Sequence, residues 1–354
     1  MSPASVLAAH HARWGALVTD SGIPQHFGSP YAEYEAAHRT AAVFDRSHEA
    51  RLRIDGGDRL ALIHRISTNE VERLTDGSGS PTIFLNAIGR ILERAEVYAA
   101  DDHAVLIGGP ERAASLQRLI RRNIFFRDDV KAHDMAAATA MFALHGPRAP
   151  EVLNGVGVDV SGLALFGHTR AQIAGGPAWI ARAKPLIGDH LRVIVPVANA
   201  QAAWDAIVSA AAEIRGLPAG SETYHLLRVE AGAPAASSEL SDTFIPLELG
   251  LWDEISFHKG CYTGQEIIAR MESRGKLAKT IVTLTLTAPA AVPADLLIDG
   301  KRAGTLTSLA VTPYGQALGI GVLKPEFAHV GAQVVTQDGI AGTVSGTPGA
   351  RPAV

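Results

Sequence analysis

The chain has 354 residues, of which 47% are apolar and 19% charged, and its formal net charge at pH 7 is -4. This length predicts roughly two or three domains, and the composition excludes a disordered chain. The acidic balance gives no overall basic surface for nucleic acid or an anionic membrane. A single cysteine excludes an internal disulfide, and no stretch reaches the roughly 18 apolar residues of a membrane span. These features predict a soluble, cytoplasmic protein without a signal peptide.

Strand and helix patterns alternate through the first two thirds of the chain. Strands are predicted over residues 50–56, 82–86, 91–98, 103–108, 139–144, 171–183 and 191–197. Helices are predicted after Asp58 and over residues 110–122, 148–154 and 200–214. Because no strict βαβ repeat is present, this mixture indicates an α+β fold with antiparallel sheets rather than a doubly wound sheet.

The last quarter of the chain has a different sequence pattern. Residues 280–345 contain short strand patterns, many glycines and almost no helical pattern. Asp299-Gly300 predicts a hairpin turn between two of these strands. We therefore expect a small β-barrel domain over residues 275–347 and a frayed tail over 348–354. The preceding region, residues 1–272, is expected to hold two interleaved α+β subdomains.

The only cysteine, Cys261, lies in a glycine-flanked octapeptide. This octapeptide is Lys259-Gly260-Cys261-Tyr262-Thr263-Gly264-Gln265-Glu266. Its two glycines allow a tight turn and a close approach of the backbone to a ligand. Thr263 and Glu266 have the spacing of a capping box, which predicts that a helix begins directly after the cysteine. The segment is the strongest candidate for a functional centre.

The surroundings of Cys261 favour a reactive thiol. A helix N-terminus and a nearby cation both stabilise a thiolate, and Lys259 lies two residues away. The alternative is that a lone cysteine serves as a small buried hydrophobic residue. One thiol cannot hold a conventional iron–sulfur cluster, which needs four ligands. The options left open are a cluster shared between chains, a mixed disulfide, or a thiol that lines a pocket.

Other motifs give weaker signals. The phosphate-binding loop and dinucleotide-binding fingerprint are absent, and the 14 histidines lack ligand spacing, so no metal site is predicted. Arg228 and Glu230 flank a valine before a glycine stretch, a pattern that a structural ion pair would also produce. A basic group on and after the 110–122 helix indicates either a solvated face or a site for an anionic ligand or RNA. Its members are Arg118, Arg121, Arg122, Arg127 and Lys131.

The order of these segments resembles the YgfZ branch of the glycine-cleavage T-protein superfamily. The octapeptide matches the signature of that branch without a mismatch. Further matching segments cover nearly the whole chain, at residues 43–47, 54–56, 67–69, 89–90, 228–232, 246–248, 269–270 and 304–308. The resemblance implies three domains around a central hole that binds tetrahydrofolate, with the C-terminal barrel as the third.

The resemblance also implies a function. The protein would bind tetrahydrofolate or another reduced folate and support assembly or repair of iron–sulfur enzymes, with a link to tRNA modification. Its partners would be iron–sulfur client or assembly proteins, with no membrane and with nucleic acid not as the main partner. Cys261 and Lys259 are the expected catalytic residues. The expected folate-binding residues are Arg228, Glu230, Gly260, Tyr262, Gly264, Gln265 and Glu266.

Two segments depart from the aminomethyltransferases of that superfamily. Residues 89–94 carry Glu93 where the transferases have a catalytic aspartate, which moves the carboxylate by about one methylene. Residues 183–189 lack the glutamate with which the transferases bind the pterin. Aminomethyl transfer is therefore the alternative activity rather than the expected one. A scaffold that binds RNA through the basic helix face is the third hypothesis.

Overall fold

The computed structural model describes residues 3–236 and 238–351. Contacts between Cα atoms divide the chain into two compact units. Unit 1 consists of Met1–Ile63, Val71–Pro81 and Ala95–Leu227, and unit 2 of His64–Glu70, Thr82–Arg94 and Arg228–Val354. No helix in these described ranges combines the length and the apolar character that a bilayer span requires.

The regular elements are numbered in chain order. The α-helices are α1 (Pro3–Arg13), α2 (Pro30–Arg39), α3 (Arg59–Ile66), α4 (Ala113–Arg122), α5 (Ala149–Gly155), α6 (Ala200–Glu213), α7 (Ser221–Glu230) and α8 (Gln265–Arg274). The strands before the barrel are β1 (Leu17–Val18), β2 (Pro24–His26), β3 (Ala42–Asp45), β4 (Glu49–Asp55), β5 (Ser78–Leu85), β6 (Ile91–Ala99), β7 (His103–Pro110), β8 (Lys131–Asp134), β9 (Thr139–Gly146), β10 (His168–Ile173), β11 (Gly176–Arg182), β12 (Asp189–Pro196) and β13 (Leu217–Ala219). The barrel strands are β14 (Thr280–Leu286), β15 (Ala294–Ile298), β16 (Lys301–Val311), β17 (Ala317–Leu323), β18 (Gln333–Thr336) and β19 (Ala341–Gly346).

Unit 1 is organised by a six-stranded sheet with the order β10-β11-β12-β9-β3-β13. Strand β13 pairs parallel with β3, whereas the pairs among the other five strands are antiparallel. Helix α6 covers this sheet, because its apolar residues recur at helical spacing and face the same way. Its Trp204 is fully buried, and the ring packs edge-on against Phe142 of β9 at a centroid distance of 5.2 Å.

A second sheet of five strands has the order β5-β6-β7-β4-β8. Strands β5 and β6 continue along the chain from one unit into the other. Helix α4 packs against β4, β7 and β8, and it buries Leu116, Leu119 and Ile120. The opposite, polar side of α4 is therefore exposed.

Unit 2 contains a closed barrel with the strand order β14-β17-β16-β15-β18-β19. Its described strand pairs are antiparallel, and apolar side chains such as Leu284 and Leu306 fill the interior. The predicted hairpin turn lies at Asp299 and Gly300, with φ angles of 49° and 71°. The prediction of an α+β fold with antiparallel sheets and a C-terminal β-barrel is confirmed. Unit 2 also takes residues 64–70 and 82–94 from early in the chain.

Two local predictions were wrong, and one helix was not predicted. Pro110 is the last residue of β7, and Arg112 is the N-cap of α4, so the proline does not lie in the first helical turn. Residues 171–183 do not form one strand, because Ala174 and Gly175 take positive φ angles and turn the chain between β10 and β11. Helix α7, which carries Arg228 at its end, had no sequence assignment.

Neutral histidines that are buried or half-buried in unit 1 predict a loss of stability in acid. Burial, with Arg46 nearby, lowers the pKa of His48 to about 4. Burial also holds the pKa of His145 and of His190 well below the usual range, and their rings stack at 4.0 Å. Between pH 6.5 and 4 the unfolded chain binds more protons at His48 than the folded chain does. The lowered pKa of His48 alone corresponds to about 3 kcal/mol of unfolding free energy lost as the pH falls through this range.

The variant His48→Gln is therefore expected to flatten the decline of Tm between pH 6.5 and 4. Thermal unfolding followed by circular dichroism at a series of pH values measures that decline. The exposed His329, replaced by glutamine, is the matched control and should keep the wild-type slope. Equal slopes for His48→Gln and wild type would show that His48 is not an important acid-sensitive group.

Candidate functional site

The octapeptide forms a loop and the start of a helix within unit 2. Cys261 is exposed on this loop, four residues before α8 begins. The exposure contradicts the interpretation of Cys261 as a small buried hydrophobic residue. Its thiol is accessible to a reagent or a partner, which a nucleophile or metal ligand requires.

The start of α8 differs from the predicted capping box. Gly264 is the N-cap, in the left-handed conformation with a φ of 82°, and no side chain caps the helix. Thr263 precedes the N-cap, so the predicted pairing of Thr263 with Glu266 is wrong. Glu266 still lies in the first turn, where a carboxylate favourably faces the positive end of the helix dipole.

The two glycines of the octapeptide stand in different environments. A Cβ atom on Gly264 would lie 2.6 Å from the carbonyl oxygen of Asn86 and 3.0 Å from the Cα atom of Gly89. The loop therefore packs directly on the turn between β5 and β6, and only glycine fits there. A Cβ atom on Gly260 would meet nothing within 4 Å. Gly260 is thus not required for packing, and the space beside it is open.

Alanine substitution should destabilise the protein at Gly264 and leave its stability unchanged at Gly260. Gly264→Ala is expected to lower the free energy of unfolding by at least about 1–2 kcal/mol, because the left-handed backbone strains an L-residue. Displacement of the turn at Asn86 adds to this loss. Gly260→Ala should leave the free energy unchanged within about 0.5 kcal/mol. Urea unfolding measures both, and equal effects of the two variants would contradict the packing described.

Lys259 is the anchor of the loop. Its side chain is buried, and its ammonium donates to the backbone carbonyl oxygens of Ser67 at 2.8 Å, Asn69 at 3.0 Å and His64. These carbonyls lie in the last turn of α3 and just after it, where a helix leaves acceptors unpaired and favours a cation. An ammonium has three donors, which match the three carbonyls. The geometry therefore gives Lys259 a positioning role, which sequence alone did not indicate.

A second group of contacts holds the segment before the loop. Thr68 donates its hydroxyl to the carbonyl oxygen of Glu254 at 2.7 Å, and the Asn69 amide donates to the carbonyl of Asp253 at 3.2 Å. Arg94 binds the buried carboxylate of Glu254 with two hydrogen bonds of 2.7 Å each. Residues 67–69 therefore contact the chain on both sides of residue 257, which fixes the loop in place.

Arg228 lies in a buried polar network with the barrel. Its guanidinium donates to the hydroxyl of Ser308 at 2.8 Å and to the carboxylate of Glu239 at 3.4 Å. Glu239 is fully buried and also accepts from Thr307 and Ser308, each at 2.7 Å, and from the backbone N–H of Ala235 at 3.0 Å. The network ties the end of α7 to strand β16 within unit 2.

The remaining residues expected from the sequence vary in exposure. Tyr262 is buried, which raises the pKa of its hydroxyl to about 12, and its ring centroid lies 5.4 Å from the Lys259 ammonium. Glu230 and Glu266 are exposed, and Gln265 is partly exposed. The tyrosine side chain thus belongs to the support of the loop. The three polar side chains are accessible to a ligand.

Two further residues bear on the comparison with the transferases. Glu93 of β6 is buried in unit 2, so a carboxylate is retained at this position. In unit 1, Asp189 forms an ion pair with Arg182.

The sequence did not reveal the roles of Glu239 and Glu254, although their partners Ser308 and Thr68 lie in segments that carry the family resemblance. No motif marks a carboxylate whose only role is to bind another chain segment.

Comparisons with known proteins agree with this architecture. A family model described as the GCVT N-terminal domain matches residues 5–259. The Arabidopsis thaliana protein named "Putative transferase At1g60990, chloroplastic" is 30% identical over 336 residues, which are 94% of this chain and 77% of that protein. An aminomethyltransferase of Moorella thermoacetica is 28% identical over 340 residues, covering 93% of this chain and 91% of that enzyme.

A solved structure extends the agreement to the fold. The glycine cleavage system aminomethyltransferase T from Bartonella henselae matches with a TM-score of 0.86 and 20% sequence identity. The match covers 98% of this chain and 97% of that enzyme. Because the family model spans most of the chain and the relatives align over nearly all of it, the chain belongs to the GCVT family.

Proposed function

We propose that this protein is a folate-binding member of the YgfZ branch that supports assembly or repair of iron–sulfur enzymes. The observation that carries the proposal is the exposed Cys261 on a loop that Lys259 fixes to three backbone carbonyls. A fixed, exposed thiol suits direct contact with a partner, because the position of the sulfur is set before binding. Membership in the GCVT family and the intact octapeptide support the same assignment.

In this proposal, the octapeptide residues have different roles. Cys261 provides the thiolate that contacts the client, and Lys259 positions the loop. The open space beside Gly260 allows a close approach to the backbone. Gln265 and Glu266, at the start of α8, supply polar groups near the thiol.

Among the residues expected to bind a reduced folate, the solvent-exposed polar side chains are better placed to contact it than the buried Arg228. Glu230, Gln265 and Glu266 are accessible and supply acceptors and an amide for a ligand that carries many hydrogen-bonding groups. The Arg228 guanidinium contacts Glu239 and Ser308 instead, so its proposed contribution is to hold residues 228 and 239 against strand β16 within unit 2. A bound reduced folate would provide a one-carbon carrier.

Equilibrium binding tests the folate part of the proposal. Purified protein should bind tetrahydrofolate saturably in anaerobic dialysis. Glu266→Gln should weaken that binding with only a small fall in Tm, because Glu266 is exposed and its interaction with the helix dipole contributes less than about 1 kcal/mol. Exposed Glu326→Gln on unit 2 is the matched control. A protein that does not bind tetrahydrofolate at all would refute the folate assignment.

Aminomethyl transfer is the second candidate, because relatives carry that name and a buried carboxylate, Glu93, is retained. Incubation with tetrahydrofolate and an aminomethyl-lipoyl donor tests it. We expect no methylene-tetrahydrofolate above the background without protein, because the catalytic position requires the shorter aspartate. Turnover that disappears in Glu93→Gln would establish the transferase activity instead.

A further inference from the structure

We infer that the loop after α4 is a contact site for an anionic lipid surface, a role separate from the proposed function. The site lies in unit 1 and consists of Phe125, Phe126 and Arg127 with the basic face of α4. The neighbouring phenylalanines are 63% and 96% exposed. Two adjacent apolar rings left this open are unusual, since large exposed apolar groups commonly mark interaction sites.

The turn that carries the two rings is fixed by its own hydrogen bonds. The backbone N–H of Asp128 donates to the carbonyl of Phe125 at 2.9 Å, which closes a β-turn. The Asp128 carboxylate accepts from the backbone N–H of Phe125 at 2.8 Å. Phe126 and Arg127 therefore occupy the two corner positions of a preorganised turn, and the ring projects from its tip.

Basic side chains lie on the elements that flank this turn, on α4 before it and at the start of β8 after it. Their exposed members are Arg118, Arg121, Arg122, Arg127 and Lys131. None of the five forms an ion pair with a carboxylate in the described part of the chain. The nearby carboxylates of Asp128 and Asp129 accept hydrogen bonds from the backbone amides of Phe125 and Gly57. The five basic side chains outnumber these two carboxylates, so this surface is locally basic although the net charge of the chain is -4.

The combination fits a bilayer surface better than RNA. An anionic bilayer offers negative headgroups to the arginines and an apolar layer into which projecting rings insert. The Arg127 guanidinium lies 5.8 Å from the centroid of the Phe126 ring, so a cation and an exposed apolar ring project together from the turn, as headgroups above an apolar layer require. Phenylalanine has no polar group that could bind the edge of a base.

Co-sedimentation with vesicles of phosphatidylserine and phosphatidylcholine in equal parts tests the inference. The purified protein should bind these vesicles and should not bind vesicles of pure phosphatidylcholine. The double variant Phe125→Ser, Phe126→Ser and the double variant Arg122→Gln, Arg127→Gln should each weaken binding at least about tenfold. Because these side chains are exposed, both variants should keep the wild-type Tm.

Matched exposed positions on unit 2 provide the controls. Val330→Ser and Lys301→Gln should bind the mixed vesicles as wild type does. A parallel arm measures fluorescence anisotropy with a single-stranded oligouridylate. Three results would each overturn the inference: no binding to mixed vesicles, wild-type binding by the phenylalanine variant, or tighter binding of the oligonucleotide than of the vesicles.

Discussion

Replacing Arg228 by methionine is expected to lower the free energy of unfolding by about 3–5 kcal/mol. The substitution leaves the carboxylate of Glu239 fully buried without its cationic partner. It also removes the hydrogen bond that Arg228 donates to Ser308 of the barrel. Reversible urea unfolding of the purified protein, followed by tryptophan fluorescence, gives the free energy directly.

An exposed ion pair provides the control for the loss of free energy at the buried Arg228 network. Arg302 pairs with Asp295 at 2.8 Å, but both side chains are largely exposed. Arg302→Gln should therefore cost less than about 1 kcal/mol. The double variant Arg228→Met, Glu239→Met should recover part of the loss, because the unpaired carboxylate is removed. A loss at Arg228 no larger than that at Arg302 would show that the network does not stabilise unit 2.

Replacing Cys261 by serine is expected to abolish rescue of iron–sulfur enzyme activity in a strain that lacks its own protein of this branch. Serine is nearly isosteric with cysteine, but its hydroxyl does not ionise near neutral pH and is a poor ligand for soft metals. Because Cys261 is exposed, the substitution should leave Tm unchanged. Activity of an iron–sulfur enzyme in lysates, normalised to the amount of variant protein, is the measurement.

A neighbouring hydroxyl provides the control for this experiment. Ser273 is exposed on α8, and Ser273→Ala should rescue as wild type does. Full rescue by Cys261→Ser would show that the thiol is dispensable. The exposed loop would then act through its backbone or its other side chains.

The barrel and the position of the thiol could be predicted because their signals are local. Asp299-Gly300 has the positive φ angles that a tight hairpin requires, and these residue types tolerate them. The glycines around Cys261 marked a loop before a helix. The N-cap was misassigned because Thr263 has the favoured side chain, whereas the approach of Asn86 requires glycine at position 264. That approach depends on a turn far away in the sequence.

The contacts that hold the octapeptide loop and the barrel network could not be predicted from the sequence. They join distant segments through backbone carbonyls and single carboxylates, which no sequence motif marks. Lys259 binds backbone carbonyls, which every residue provides, so no motif at residues 64–69 marks its partners. Glu239 lies outside the segments that carry the family resemblance, and its burial depends on the barrel. The exposure of Phe125 and Phe126 likewise depends on a turn whose closure the sequence pattern did not reveal.

In the proposed function, a reduced folate and the octapeptide thiol share one site. The direct measurement is the rate of alkylation of Cys261 by iodoacetamide, with and without saturating tetrahydrofolate, under anaerobic conditions. Cys261 is the only cysteine, so the total rate of thiol loss reports this residue alone. Tetrahydrofolate should slow alkylation, whereas an unchanged rate at a concentration that saturates binding would contradict a shared site.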